Sequence, residues 1–563
     1  MSILPSAPRS AAAYAAGARL GAVLARPAVL FFVVALSAWL LHGFNIGPVN
    51  DGWTFFGGDS AAGEPFEALV GARVFINIPT FLGLSFVPHG FQGWQWVMVA
   101  VTFARGLLFF AIIRRLVPDQ PLFWLACGLI AIFHPADDSF FWAECVGPHF
   151  GLDLALGACL TAIIYLQRGP RWALWATWLL QFLACFTYSS CLPLMMALPF
   201  GAWLLSRTQG PAWDLRRLLE IVAPILLLAA VYAFLVLSGF GRAGVVASLS
   251  IDGVLAGYRH ESGLLLRKSV EVFSGFQPIY LAFAVVPALL ASYVATRMSR
   301  EESARLALRS QILIFAGLIV LAAVSYLPFA ISTVRFGSKR QLMAPGIFLY
   351  SAGLFVVFVA LPGWFRGRRW GALAVLAFAG MTVVVGLEKR EIYVSQYRTQ
   401  EQLLAGIAAL VPAPPPDAVI MVHVANRRQA SALAGLYNRV SAFSGALRFM
   451  YNDYRGGAPI GIVGGFTSFG RYPELAFKGH SLSATHYWHP DYEINASYSH
   501  LILIGYDARG HAKLLDRSWL QEFAPKGTEL PDYRPAVGGS APDPASNICS
   551  MLEKGYRPSY CSN

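Results

Sequence analysis

The chain has 563 residues, of which 56% are apolar and only 13% charged, and its mean hydropathy is +0.53. Soluble domains carry roughly 25% charged residues, so an ordinary soluble enzyme is excluded and a polytopic α-helical membrane protein is expected. The 43 Lys and Arg against 31 Asp and Glu give a net charge of +12, yet the arginines cluster in short loops between apolar runs, the positive-inside bias of membrane proteins rather than a nucleic-acid stripe.

Residues 1–26 carry Arg9, Arg19 and Arg26 with no convincing small-residue cleavage site after them, so 27–41 reads as a retained first span and not a cleaved signal. About eleven transmembrane helices follow, near 27–43, 94–113, 121–134, 149–167, 172–188, 191–206, 219–238, 277–296, 311–331, 341–361 and 371–387. Such runs match a hydrocarbon core ~30 Å thick crossed at about 1.5 Å per residue. With a cytoplasmic N-terminus, Arg114–Arg115, Arg168, Arg171, Arg207, Arg216–Arg217, Arg297–Arg309 and Arg366–Arg369 all fall inside. The outer loops are then 42–93, 134–149, 239–276 and 332–340, and residues 391–563 lie outside the cytoplasm. In the first outer loop, residues 64–83 suit a helix lying along the membrane surface. TYSSCLP at 187–193 interrupts the apolar pattern, so the fifth and sixth spans read as short or broken.

Beyond Leu387 the character changes. Residues 388–410 read as an amphipathic helix leaving the membrane, and PAPPP at 412–416 as a hinge. The short apolar runs 418–424 and 500–507 read as buried strands. A small extracytoplasmic α/β domain over 391–563 is expected, without repeats or metal-ligand spacing. Cys549 and Cys561 fall there, where an oxidising compartment would let them pair; Cys127, Cys159, Cys185 and Cys191 lie in apolar segments and read as packing residues.

Three groups of residues could carry chemistry. Asp51, in PVNDGW just after the first span, is placed to act as a general base toward an acceptor hydroxyl, with Trp53 beside it as a sugar-stacking ring or interface anchor. The plainer reading is a solvated loop acid or a helix cap. The second group is HPADDSFFWAECVGPH at 134–149: His134, Asp137, Asp138 and Glu144 stand beside Phe140, Phe141 and Trp142, a mixture that suits sugar hydroxyls against carboxylates and sugar faces against rings. It equally suits an aromatic belt with water-facing acids. His134, Asp137, Asp138 and His149 also leave a divalent metal open, although these residue types suit hydrogen bonds to a sugar as well, and no cofactor is fixed by the sequence. The third group is basic: Arg335, Lys339 and Arg340, with Arg242, Arg259, His260, Arg267 and Lys268. Cations on the outer side run against the positive-inside trend, and a phosphate or pyrophosphate headgroup would explain them; a solvated loop is the alternative. Arg105, inside a span, could line the same cavity. No Walker A loop or dinucleotide-binding glycine pattern is present.

The acid after the first span, the long first outer loop and the HPxxxxxxW form of the second outer loop resemble the GT-C superfamily. More narrowly, the chain is similar to polytopic protein O-mannosyltransferases and their uncharacterised bacterial relatives. IFHPADDSFFWAECVGPHFGLDLAL matches their HP-x-acid-x-aromatic-W-x-x-G segment in type. FLACFTYSSCLPLMMALPF resembles their broken fifth–sixth segment, although Tyr188–Ser190 stands where a Lys–Glu pair is often found. YLPFAISTVRFGSKRQLMAPG resembles their late outer loop. Over about residues 27–390 the resemblance implies inverting transfer from a polyprenyl-phosphate-linked sugar to a glycan, lipid or protein acceptor at the outer face of a bacterial inner (plasma) membrane. Asp51 would be the base, the 137–144 loop would support sugar or acceptor, and Arg335 with Arg340 would hold the lipid phosphate. A lipid or polysaccharide transporter or flippase and a polymerase or ligase remain the other classes.

Overall fold

In hydrocarbon every backbone N–H and C=O must be satisfied within its own segment, so the long apolar runs form helices. The computed structural model describes chiefly residues 26–49, 52–53, 74–87, 91–209, 213–235, 250–271, 274–298, 306–331, 339–361 and 368–412, then most of the elements between 418 and 516. The helices are α1 (Pro27–Leu40), α2 (Ile78–Phe86), α3 (Gln92–Leu116), α4 (Pro121–Ile132), α5 (Val146–Arg168), α6 (Arg171–Thr187), α7 (Leu192–Gln209), α8 (Leu215–Leu235), α9 (Ile251–Glu271), α10 (Ile279–Met298), α11 (Leu308–Ala330), α12 (Met343–Phe355), α13 (Arg368–Leu410) and α14 (Val440–Tyr451).

A helix occupies each of the eleven expected spans. By length and composition, eight of the described helices can cross a membrane, while α1 and α4 are apolar but shorter, at 14 and 12 residues. The protein is a polytopic helical membrane protein. Its rim agrees: Trp172, Trp175, Leu227, Phe234, Val286 and Ile312 are all at least 60% exposed. Large side chains left outward in such numbers would be a liability in water, but they match lipid.

The break expected at 187–193 is present. α6 stops at Thr187, Tyr188 is extended, and one 3₁₀ turn (Ser189–Cys191) leads into α7. The expected surface helix over 64–83 falls largely outside the described residues, and only α2 represents it. The expected change of character after Leu387 does not interrupt the chain's geometry. α13 runs unbroken for 43 residues, about 64 Å at 1.5 Å per residue, so the last span and the amphipathic segment are one rod.

β1 (Val419–Val424), β2 (Val463–Thr467), β6 (Leu501–Tyr506) and β7 (Ala512–Leu514) form one sheet in the order β2-β1-β6-β7. β1 is parallel to both β2 and β6, and β7 is antiparallel to β6. The two runs read as strands are therefore neighbours, and every residue of β1 and β6 is buried, as both-face cover requires of a parallel pair. A separate antiparallel meander joins β3 (Glu474–Lys478), β4 (Ser481–His486) and β5 (His489–Ser497). The first sheet meets the far end of α13, where Tyr451 of α14 donates to the Val411 carbonyl at 2.7 Å. Cys549, Cys561 and most of the 412–416 hinge lie outside the described residues.

The arginine-bearing helix ends gather on one side. Arg115 at the end of α3 donates to Gln167 at the end of α5 (3.0 Å), and Arg217 at the start of α8 donates to the Leu166 carbonyl (3.3 Å). Reporters fused after Asn563 or inserted near Gly58 are expected to read extracytoplasmic, and those near Arg168 or Arg305 cytoplasmic. A cytoplasmic C-terminus would remove the reason to regard residues 335–340 as outer cations.

Candidate functional site around Asp138 and its two lysines

α4 ends at Ile132, Phe133 turns extended, and Pro135 disfavours helical geometry at His134, the residue before it. The chain then folds on itself. Asp137 accepts from the Ser139 amide (2.7 Å) and hydroxyl (2.5 Å), an Asx-type turn, and one 3₁₀ turn (Ala143–Cys145) starts α5. The loop is not the water-facing turn that one reading of its acids allowed. His134, Asp137, Ser139 and Phe140 are 0% exposed and Asp138 is 6%.

Each of these buried polar side chains has at least one polar partner, although His134 Nδ1, His149 Nδ1 and Asp137 Oδ2 have no hydrogen bond among the described residues. Because the Ser139 hydroxyl hydrogen goes to Asp137, the Nε2–H of His149 donates to the Ser139 oxygen at 3.1 Å. His149 Nε2 lies 3.9 Å from the other Asp137 oxygen, too long for a hydrogen bond. Phe140 stacks flat on His149 at 5.2 Å, and the Arg105 guanidinium covers Phe140 at 5.4 Å. His134 donates from Nε2 to the Met343 carbonyl (3.1 Å). Its ring lies where a Cβ on Gly346 would come within 2.3 Å of it, so glycine is needed there for α12 to approach. Burial draws the His134 imidazole down to about 3 and lifts the Asp137 carboxyl to about 6, despite its bonds to Ser139.

Asp138 is the electrostatic centre. Lys268 of α9 reaches it at 2.9 Å, Lys389 of α13 forms a second ion pair, and Tyr393 donates to its backbone carbonyl. Burial alone would raise its carboxyl, but the two lysines outweigh burial and hold it below the usual range. Burial also opposes the charge on Lys268, while its bonds to Glu271 and Asp138 hold it above the ordinary lysine value. Glu388 accepts from the Gly275 amide at 3.1 Å. Arg390, 0% exposed, donates to Gln95 (3.1 Å) and the Gly43 carbonyl (2.7 Å) and lies over the rings of Trp39 and Phe141.

α9 is held against the bundle by a close approach. A Cβ on Gly257 would come within 2.6 Å of the Ala330 carbonyl oxygen at the end of α11. Ala136, Leu264 and Leu342 then pack as one buried apolar cluster. The 134–149 loop, α9 of the 239–276 segment and the turn Lys339–Leu342 thus converge on one spot.

Asp51 and Arg335 lie outside the described residues. Lys339 and Arg340 open a 3₁₀ turn (Lys339–Leu342) immediately before Met343, the partner of His134. Glu144 is in the 3₁₀ turn that precedes α5, Trp142 is half-buried, and Arg259 is exposed on α9. Trp53 departs from its expected role as a stacking platform. It is 0% exposed, donates to Gln400 at 2.9 Å and packs among Phe91, Tyr397 and Phe449, so its rings are already covered by protein. Arg105 also differs from expectation: it does not line an open cavity but pairs with Asp153 of α5 at 3.1 Å. Among the described residues no three His, Cys, Asp or Glu side chains converge as a cation site would need.

Lys389, Asp153, Ser139 and Tyr393 are site residues the sequence reading passed over. Asp153 carried a signal, being an acid within a predicted span just as Arg105 is a base within one, and intramembrane charges seek each other. The signal for Lys389 was the EKR triplet directly after an apolar run; amphipathic patterning assigned it to solvent.

No family model and no curated protein matches the chain. Among solved structures it is similar to a crystal structure of ArnT from Cupriavidus metallidurans bound to undecaprenyl phosphate, with 16% identity, a TM-score of 0.36, and coverage of 74% of this chain and 87% of that one. A superposition of that quality transfers no residue from one chain to the other.

Proposed function

We propose that the chain is a membrane glycosyltransferase moving a sugar from a polyprenyl-phosphate-linked donor to a glycan, lipid or protein acceptor on the face opposite the arginine-rich loops. The observation that carries this reading is the convergence of the 134–149 loop, α9 and residues 339–342 around Asp138 and its two lysines. Lys268 and Lys389 are themselves paired with Asp138 and Glu271, so in this reading the anionic headgroup is met by the neighbouring cations of residues 335–340, on the side where membrane proteins carry few of them. In this reading Asp51 takes the acceptor hydroxyl proton as the oxygen attacks the anomeric carbon. The bond from that carbon to the phosphate oxygen breaks, polyprenyl phosphate departs, and the configuration inverts. In this reading Arg335, Lys339 and Arg340 supply the charge for the leaving phosphate. The expected location is a bacterial inner membrane, with residues 391–563 outside.

The test is donor binding by purified protein in liposomes. Arg335→Ala and Arg340→Ala are each expected to weaken the lipid-linked donor ten- to hundredfold, since a charge-assisted contact contributes about 1.5–3 kcal/mol, and to leave acceptor binding unchanged. Lysine at either position should restore only part of the loss, lacking the bidentate fork. Unchanged donor affinity in both alanine variants would return these arginines to a solvated loop.

A transporter or flippase is the second reading, favoured by one feature: Arg105 and Asp153 form an ion pair within the span-forming helices α3 and α5, and intramembrane charges commonly mark translocation paths. The same liposomes separate the two. A transferase yields glycosylated acceptor, whereas a transporter moves donor between leaflets without breaking a bond.

A further inference from the structure

A groove lies between the last turn of α7 and the first turn of α11. It is lined by Leu204, Arg207 and Thr208 on one side and Leu308, Arg309, Ile312 and Leu313 on the other, and encloses about 450 Å³. α11 runs from this groove to Ala330, which lies against α9 beside the candidate site. The groove and the candidate site are therefore about 33 Å apart along the helix, on opposite sides of the membrane.

The lining has two chemistries. Leu308 and Ile312 are 71% and 60% exposed and Leu204 45%, forming an apolar floor open to the lipid-facing rim. Arg207 and Arg309 are exposed at its edge and form no ion pair with another described residue. The Arg207 guanidinium lies over the Trp203 ring at 4.6 Å, which holds the charge at the groove mouth. α11 begins at Leu308 without a side-chain cap from Ala307, so its first-turn amides and positive dipole end add to the attraction for an anion. Two arginines beside an uncapped helix start, over an apolar floor between two membrane helices, match a ligand with a phosphate at one end and acyl chain at the other.

We propose that this groove binds an anionic membrane phospholipid from the leaflet on the arginine-rich side, headgroup phosphate between Arg207 and Arg309 and acyl chain along Leu308 and Ile312. Basic pockets between membrane helices on the cytoplasmic side suit anionic headgroups on general electrostatic grounds. The site is independent of the transferase reading, since no group in it belongs to the Asp138 cluster.

The full chain in detergent, examined by native mass spectrometry, tests this with phosphatidylglycerol, phosphatidylcholine of the same acyl chains, and inorganic phosphate as probes. Phosphatidylglycerol should bind at least about tenfold more tightly than phosphatidylcholine, because a charge-assisted contact of about 1.4 kcal/mol is a factor of ten. Arg207→Gln with Arg309→Gln should abolish that preference. Ile312→Trp keeps both charges but covers the apolar floor, and should weaken both lipids. Equal binding of the two lipids to the unmodified chain would overturn the proposal, as would unchanged phosphatidylglycerol affinity in either variant. Inorganic phosphate competing as well as phosphatidylglycerol would overturn it too, identifying a free-anion site instead of a lipid site.

Discussion

Asp51→Asn is expected to lower sugar transfer in a reconstituted assay by a factor of about 10²–10⁴, the usual cost of losing a general base. Asparagine keeps the size and some of the hydrogen bonding of aspartate but cannot accept the acceptor's proton, so insertion, folding and donor binding should all survive. Asp59→Asn, altering the nearest rival acid in the same loop, should be milder by at least about tenfold. Transfer at the unmodified rate by the Asp51 variant would remove the base from the proposed mechanism. Asp137 would not be the obvious replacement, because it is fully enclosed and already accepts two bonds from Ser139.

Loss of the Asp138 carboxylate should have the largest effect on stability. In Asp138→Ala, Lys268 and Lys389 would face each other with no anion between them, and Lys389 has little access to water, its side chain being 5% exposed. Removing one partner of a buried ion pair costs about 3–5 kcal/mol, whereas replacing the whole pair with apolar groups is often neutral. Thermal unfolding in detergent should therefore show a large loss for Asp138→Ala, and a substantial recovery when Lys389→Met is added. If the single variant unfolds at the unmodified temperature, the cluster is wet and contributes little. If the double variant is no better than the single one, the loss comes from packing and not from charge.

Most of the helical framework was legible in the sequence because its signal is cumulative: a run of apolar residues keeps its meaning whatever it packs against. The break at Tyr188 was legible for a similar reason, since Ser189, Ser190 and Pro193 interrupt such a run. The burial of the acid loop was only half legible. Aspartates at 137 and 138 beside Phe140 and Trp142 marked the segment as unusual, but their enclosure depends on lysines about 130 and 250 positions away in the chain, and no local pattern encodes a partner at that distance. Trp53 misled in the opposite direction. A tryptophan at a membrane boundary usually anchors at the interface, and only the return of α13 and α14 beside it turns it into core. The segment 388–410 is amphipathic as read, with Ser395, Arg398 and Gln402 exposed, but Lys389, Arg390, Gln400 and Glu401 are buried against protein, which its pattern alone did not distinguish.

Lys389 is the midpoint of α13, with 21 residues on either side of it in a helix of 43. The helix centre is anchored by charge, and its first half by packing on α10, α1 and α4. One arm, toward Arg368, runs beside α10 within the membrane helices; the other, toward Leu410, carries the strands that follow. The anchor is the Asp138–Lys389 contact with Arg390 wedged beside it over Trp39 and Phe141. The apolar half of α13 and the half that reaches the strands are thus two ends of one continuous element, joined at the acid loop.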